Sequence, residues 1–391
     1  MKIALIATLY PPYILGGAEH STALLAKQWQ AMGHEVLVIT TALSDMHEVM
    51  DGVRVERIAN KNIYWRFPQR DKPILRKALW HAVDTYNPFY RKALTHLLLE
   101  FRPDVVTTGN LCGISVTVWQ TCNRLNLPIV HTLRDYYMLC PQQTMSKHNS
   151  ACAKQCTVCK IYSRNKKRLS RYVNAVVGIS QSILDRHMAY GYFPATLERT
   201  VIPNSVPRIT SHARTEQNAI GYMGRISQEK GIELLIEAYL HSEIADTHIL
   251  RIAGNGNQEY MHPLVQHYGS DRVQFVGQQD ANSFLSSIDL LVVPSLWNEP
   301  FGRVVIEAYA AHCPVFLSNK GALPELQEDG ISWMFEVEHP ESLTTLFNQF
   351  ARHELTVQPQ KFEAALDRYD EQTVAQQYIT LFQKMIQHEQ N

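Results

Sequence analysis

MKIALIATLYPPYILGGAEHSTALLAKQWQAMGHEVLVIT, residues 1–40, sets the architecture. The apolar run at residues 2–8 has the length of a buried strand, and Pro11, Pro12, Gly16 and Gly17 then force a loop. Ala23, Leu24, Ala26 and Met32 recur at helical spacing through residues 18–32, and Gly33 closes that helix. Residues 36–39, Val-Leu-Val-Ile, form a second buried strand. The same order of strand, loop, helix and strand returns at residues 104–108, through Trp119, and at 129–132. Alternation of this kind belongs to a parallel sheet covered by helices on both faces.

The pattern pauses at residues 201–207 and in the polar residues 208–218, whose composition is that of a linker. It restarts with a strand at 219–223, a helix at 232–241, strands at 248–253 and 273–276, and further elements at 286–293 and 314–317. The reading is an α/β chain of two Rossmann-like, doubly wound domains facing across a cleft. The first covers residues 1–206 and the second 207–370, with a last helix, about residues 371–391, packing back on the first. A length of 391 residues suits two such domains. Ligands of open parallel sheets bind beyond the carboxyl ends of the strands. That rule singles out Gly16 and Gly17, Arg134 and Asp135, Gly224 and Arg225, Gly254 and Gly256, and Glu299.

Composition narrows the partners. Apolar residues make up 45% and charged residues 19%, as in a globular protein, and 37 basic residues balance 37 acidic ones, so nucleic acid is not an expected partner. The halves differ, however. Residues 1–206 hold 25 Lys and Arg against 13 Asp and Glu, and the remainder holds 12 against 24, giving +12 beside −12. Such asymmetry points to two folding units, the first meeting something anionic, either a phospholipid surface or a phosphate-bearing acceptor. No segment reaches the roughly 18 consecutive apolar residues of a membrane span, and the opening run lacks a small-residue cleavage site. The expectation is a cytoplasmic chain, or one peripheral on the inner face of the cytoplasmic membrane, with its seven cysteines reduced unless they hold a metal.

SLWNEPFGRVVIEA, residues 295–308, carries the most chemistry. A strand ends at Pro294 and a helix begins near Gly302, so Glu299 falls in the turn and Glu307 in the second helical turn. The backbone N–H groups of Phe301, Gly302, Arg303 and Val304 at such a helix start can receive a phosphate. A carboxylate in the turn can accept sugar hydroxyls, and one further along can grip a ribose diol. The same residues also describe a helix whose acidic first turn favours its dipole. GRISQEKG, residues 224–231, adds Arg225 and Lys230, two cations able to neutralise a diphosphate, although each alone also fits a solvated surface.

Taken together these stretches resemble the retaining glycosyltransferases of family 4, which have the GT-B fold. Glu299 and Glu307, with seven residues between them, match the E-x7-E motif. GRISQEKG, the Gly254-x-Gly256 loop, NEPFGRVVIEA and Gly321-x-x-Pro324-Glu325-Leu326 match the second domain, while Tyr10-Pro11-Pro12 and Gly16-Gly17-Ala18-Glu19 resemble the first loop. The resemblance spans nearly the whole chain. It implies transfer, with retention, from a nucleoside-diphosphate sugar (a UDP- or GDP-sugar) to a saccharide or lipid-linked acceptor, in capsule, lipopolysaccharide or other surface-polysaccharide synthesis. It implies that Arg225 and Lys230 hold the diphosphate, Glu299 the donor sugar and Glu307 the ribose. The chain has no Asp-x-Asp pair, so the cations are expected to serve in place of a divalent metal. Gly16 and Gly17 would let backbone approach the donor phosphate or the acceptor closely.

The chain departs from the family at HTLRDYY, residues 131–137, where Arg134 stands in place of the histidine of a His-Asp-Tyr stretch. His131, three positions earlier, faces the other way along a strand. Arg134 then pairs with an anionic donor sugar or acceptor phosphate, or forms a surface pair with Asp135. Cys140, Cys152, Cys156 and Cys159 follow directly, and four clustered thiols suit a structural tetrahedral zinc. An iron–sulfur cluster and free thiols are the other readings. KIYSRNKKRLSR at 160–171, YWRF at 64–67 and RKALW at 76–80 mix basic and aromatic residues. They suit anionic lipid headgroups or a lipid-linked diphosphate, and each run singly also describes a solvated helix face.

Competing classes are weaker. A nicotinamide-dependent oxidoreductase needs Gly-x-Gly-x-x-Gly after a strand, which is absent, and no Gly-x-Ser-x-Gly elbow supports covalent hydrolysis. A sugar-nucleotide epimerase of the same fold and a catalytically silent sugar-nucleotide-binding protein stay open.

Overall fold

The computed structural model describes residues 1–67, 72–147, 150–207 and 217–390. The chain divides into two compact units, one of Met1–Met145, Ala153–Ser205 and Glu371–Asn391, the other of Ser146–Cys152 and Val206–Asp370.

In the first unit, the strands are β1 (Lys2–Ile6), β2 (Glu35–Ala42), β3 (Met46–Met50), β4 (Val53–Ala59), β5 (Val105–Thr108) and β6 (Ile129–Leu133). A two-residue pair, β7 (Ser146–Lys147) and β8 (Ser150–Ala151), stands apart, and β9 (Ala175–Gly178) and β10 (Glu198–Val201) complete the sheet. The order is β10-β9-β6-β5-β1-β2-β4-β3. Every pairing is parallel except β3 with β4. That hairpin escaped the sequence reading, although its signal is present: Asp51 and Gly52 both have positive φ, 50° and 80°, as a two-residue turn between antiparallel strands requires.

The first helix spans Gly17–Ala31 and buries Leu25, Ala26 and Trp29 against the sheet. Helix Glu371–Gln390 lies against it. Trp29 is the joint, its ring centroid 5.7 Å from Tyr378 and 5.2 Å from Phe382, and its Nε1 donates to the Ala375 carbonyl at 3.3 Å. Val374, Ala375, Tyr378, Ile379 and Phe382 share one buried cluster with Ile3, Leu5, Val36 and Val130.

The second unit holds β11 (Ala219–Met223), β12 (Ile249–Ala253), β13 (Val273–Gly277), β14 (Leu290–Val293), β15 (Val315–Ser318) and β16 (Ser332–Phe335). Their order, β13-β12-β11-β14-β15-β16, is parallel throughout. The chain winds outward from β11 to one side and from β14 to the other, so the topological switch point lies between them. In the first unit it lies between β1 and β5. Loops leaving the carboxyl ends of these four strands flank the crevices in which doubly wound sheets bind ligands.

Replacing Trp29 by Ala removes the indole that joins the first and last helices. The expected loss is about 3–5 kcal/mol in urea-unfolding stability of the first unit, followed by near-ultraviolet circular dichroism.

Candidate functional site

In the second unit, the loop after β11 and the loop after β14 meet at a glycine. Gly231 has φ +72°, and a Cβ there would lie 2.0 Å from the Pro294 carbonyl oxygen, so only glycine allows this approach. The Leu296 N–H donates to the Glu229 carbonyl at 2.9 Å across the same seam. Lys230 is thereby set beside Glu299, and the two form an ion pair. Glu299 is 6% exposed. Its Oε1 also accepts from Ser295 Oγ at 2.6 Å and Trp297 Nε1 at 3.0 Å, while Lys230 Nζ sits 5.3 Å from the Trp297 ring centroid. Burial pushes the Glu299 carboxyl up, but Lys230 and the two neutral donors outweigh it and hold the group below the usual carboxylate range. The backbone of Glu299 is fixed as well, because its carbonyl accepts the Ala322 N–H at 2.9 Å.

Gly254 and Gly256 extend this edge. A Cβ at Gly254 would fall 1.8 Å from the Gly224 oxygen, and one at Gly256 would fall 1.9 Å from the Ile226 oxygen. The loop after β12 is thus pressed against the loop after β11, and the two are bridged at Ile226 and Gly256. Arg225 is exposed and donates to Glu229 Oε1 at 2.8 Å. Gly302 precedes helix Arg303–Ala310, Phe301 is buried, and Val304 lies in the first turn. Glu307, in the second turn, is 2.9 Å from Arg303 Nε, and burial raises its carboxyl against the opposing pull of that arginine. Ser295 and Trp297 were not singled out in the sequence. Their signal was position, four and two residues before Glu299 in one loop.

In the first unit, Glu19 is buried and folds back onto its own helix start. It accepts from the Gly16 N–H at 2.9 Å and the Leu15 N–H at 3.4 Å, and its Oε1 accepts from Asn110 Nδ2 at 3.4 Å. Burial raises its carboxyl, while the backbone N–H groups and the nearby Arg134 oppose the rise. The Gly16–Gly17 loop is therefore held by a carboxylate cap, a role the sequence alone did not assign. Arg134 donates to Asn204 Oδ1. Asp135 accepts the Tyr137 N–H at 2.7 Å, and burial lifts its carboxyl from the usual 3.8 to about 6 against that bond. His131 is buried, paired with Thr108 Oγ1 through Nδ1 at 2.9 Å, and burial drives it down to about 3. A cavity of about 50 Å3 opens beyond β1 and β5, lined by residues including Thr8, Trp65, Arg66, Trp80, Asn110 and Gln143.

Of the cysteines, Cys140, Cys156 and Cys159 lie in the first unit, and Cys152 lies in the segment grouped with the second. Burial raises the Cys159 thiol, and Cys156 Sγ accepts the Cys159 N–H at 3.5 Å. Among the described residues, no group of three or more His, Cys, Asp or Glu side chains is arranged to hold a metal ion. Lys166 departs from the solvated-face reading of its basic run. It is buried, and its Nζ donates to the Tyr137 carbonyl at 2.8 Å and lies 3.5 Å from the Tyr137 ring centroid.

Two doubly wound parallel-sheet units in one chain are the architecture of the GT-B fold, and the comparisons agree. Residues 15–208 match the model for Glycosyltransferase Family 4 and residues 208–369 the model for glycosyl transferases group 1. An uncharacterized 42.6 kDa protein encoded in the cps region of Klebsiella pneumoniae is 33% identical over 83% of this chain and 87% of its own. Among solved structures, sucrose-phosphate synthase of Thermosynechococcus elongatus superposes with a TM-score of 0.75 at 19% identity, covering 99% of both chains. HepE of Anabaena, in complex with UDP and glucose, gives 0.74 at 20% identity over 98% of this chain and 100% of its own. The chain belongs to the glycosyltransferases, with a family 4 domain followed by a group 1 domain.

The raised Asp135 carboxyl binds a proton in the folded state that the unfolded chain releases near its usual value. Its contribution to stability therefore falls as pH rises from about 4 to about 6. Urea unfolding of wild type and Asp135→Asn across that window should show the decline in wild type and a shallower one in the variant.

Proposed function

We propose that the chain transfers a sugar, with retention, from a UDP- or GDP-sugar to a saccharide or lipid-linked acceptor in surface-polysaccharide synthesis. The observation that carries the reading is the Lys230–Glu299 pair, held at the switch point of the second sheet by three donors on one carboxylate oxygen. Glu299 Oε1 is engaged, so Oε2 is the oxygen for a donor-sugar hydroxyl. As the bond from the anomeric carbon to the diphosphate breaks, negative charge collects on the leaving phosphate, and Lys230 and Arg225 meet it in the place of a divalent metal. Glu307 receives the ribose diol, and the N–H groups around Gly302 face the phosphates. The new bond forms to an acceptor hydroxyl on the face the diphosphate leaves, and the hydroxyl proton passes to the departing phosphate oxygen. The binding of UDP and glucose by HepE supports the donor class, and the cps-region relative supports the pathway class. Arg134 is assigned to an anionic group on donor or acceptor. Cys140, Cys152, Cys156 and Cys159 are assigned to a structural zinc. The close spacing of the four along the chain supports it, with Cys156 Sγ accepting the Cys159 N–H at 3.5 Å.

Nucleoside-diphosphate release measured over a panel of donors tests the reaction. Lys230→Ala and Glu299→Gln should each lower kcat by about 100- to 1000-fold, and wild-type protein that binds a donor without releasing nucleoside diphosphate would reduce the chain to a binding protein. Arg134→His should shift preference from acidic toward neutral sugar nucleotides, and unchanged rates for both would remove its assignment. Elemental analysis of anaerobically purified protein should find one zinc per chain, and a metal-free result disposes of the site.

A further inference from the structure

Two neighbouring helices of the first unit, Ile74–Thr85 and Thr157–Leu169, carry large apolar side chains into solvent. Ile74 is 86% exposed, Leu75 82% and Leu79 55%, and on the second helix Val158 is 55% and Ile161 67% exposed. Leu75 and Leu79 are one turn apart on a single face, as are Val158 and Ile161. The helices touch: Tyr162 Oη donates to the Ala78 carbonyl at 3.2 Å, and the Tyr162 ring meets that of His81 at 6.1 Å. Leu79 and Ile161 therefore adjoin the two ends of one contact. Singly scattered apolar residues are ordinary on a surface, but five on two touching helices are not.

The charge around them has one sign. Arg76 and Lys77 lie on the first helix, and Lys160, Arg164, Lys167 and Arg168 are exposed on the second. The one acidic residue in either helix, Asp84, is buried and accepts the Gly113 N–H at 2.7 Å. Where the pair ends, a polar concavity of about 320 Å3 opens between Tyr86, which follows the first helix, and Asn165, Arg168 and Leu169 of the second, with Arg171 and Tyr172 beside them. Two guanidinium groups on one concave surface match a phosphate.

We propose that this helix pair docks the enzyme on an anionic phospholipid bilayer, its apolar side chains entering the headgroup–acyl boundary while Arg168 and Arg171 take a lipid phosphate. Apolar side chains that project from a basic face suit insertion into an interface. A soluble acidic partner would need no such projection. The basic excess of residues 1–206 supplies the long-range attraction. The surface belongs wholly to the first unit and does not depend on the transfer reaction.

Flotation of the full chain with vesicles tests it, using phosphatidylcholine alone and phosphatidylcholine mixed with phosphatidylglycerol. Binding is expected to the anionic vesicles only and to weaken as sodium chloride is raised. The double variants L75S/L79S, V158S/I161S and R168A/R171A should each lower the affinity at least about tenfold. Their melting temperatures should be unchanged, because these side chains are exposed. Equal binding to neutral vesicles, no binding to anionic ones, or full retention of binding by all three variants would overturn the proposal, as would capture by an acidic protein with no vesicle binding.

Discussion

An ion pair built on a buried carboxylate is an expensive thing, and the second unit is organised around one. Taking the Glu299 carboxylate out of water costs several kcal/mol before its attraction to the partly exposed Lys230 is counted, and that attraction repays it only with further hydrogen bonds. Ser295 and Trp297 supply those bonds, both on the oxygen that faces Lys230. The loops can meet closely enough only because Gly231 brings backbone to backbone at Pro294. Loop path, side-chain donors and charge are therefore one construction, and a ligand entering the crevice finds its polar groups already oriented. Preorganisation of this kind lets a site stabilise developing charge without rearranging at the moment of reaction.

The first unit solves a related problem differently. Its switch-point loop is closed by a carboxylate, Glu19, which returns to the N–H groups of Leu15 and Gly16 at the start of its own helix. Beneath the neighbouring cavity, Lys166 and Asp84 are both buried, and each is influenced by the other's charge. Tyr137 holds Lys166 in place, its carbonyl accepting from Nζ and its ring centroid lying 3.5 Å from it. Opposite charges buried together cost less than either alone. Helix Thr157–Leu169 is anchored through this network to the segment that follows Asp135, which leaves its outward surface to exposed cations and to Val158 and Ile161.

Much of this was legible in residues. The parallel sheets follow from apolar runs spaced by helical periods, and strands buried on both faces leave little else to read. The pairing of β3 with β4 was missed because the alternation in MHEVM is half polar, as expected at a sheet edge, and the Asp51-Gly52 turn was the better clue. Lys166 was misread for another reason. A lysine among five other basic residues resembles its neighbours in sequence, and only the helical phase that points it at Tyr137 separates it from them. Glu299 and Lys230 were each visible, but a separation of 69 positions along the chain hid their pairing, which depends on β11 and β14 being adjacent. Arg134 illustrates the remaining limit: the residue type was plain, whereas its partner, Asn204, comes from a distant segment.

The helix Glu371–Gln390 completes the core of a unit whose other residues end at Ser205. During synthesis the first sheet therefore waits, with the surface around Trp29 uncovered, until residues 206–370 have been made. At roughly 5–20 residues per second this delay is on the order of ten to thirty seconds. Throughout it, Ile3, Leu5 and Val36 lack the cover that Val374, Tyr378 and Phe382 later provide. The second unit, continuous over nearly all its length, has no such wait. The first unit thus becomes native only after residues 371–390 have been made, and its sheet most needs chaperone protection before then.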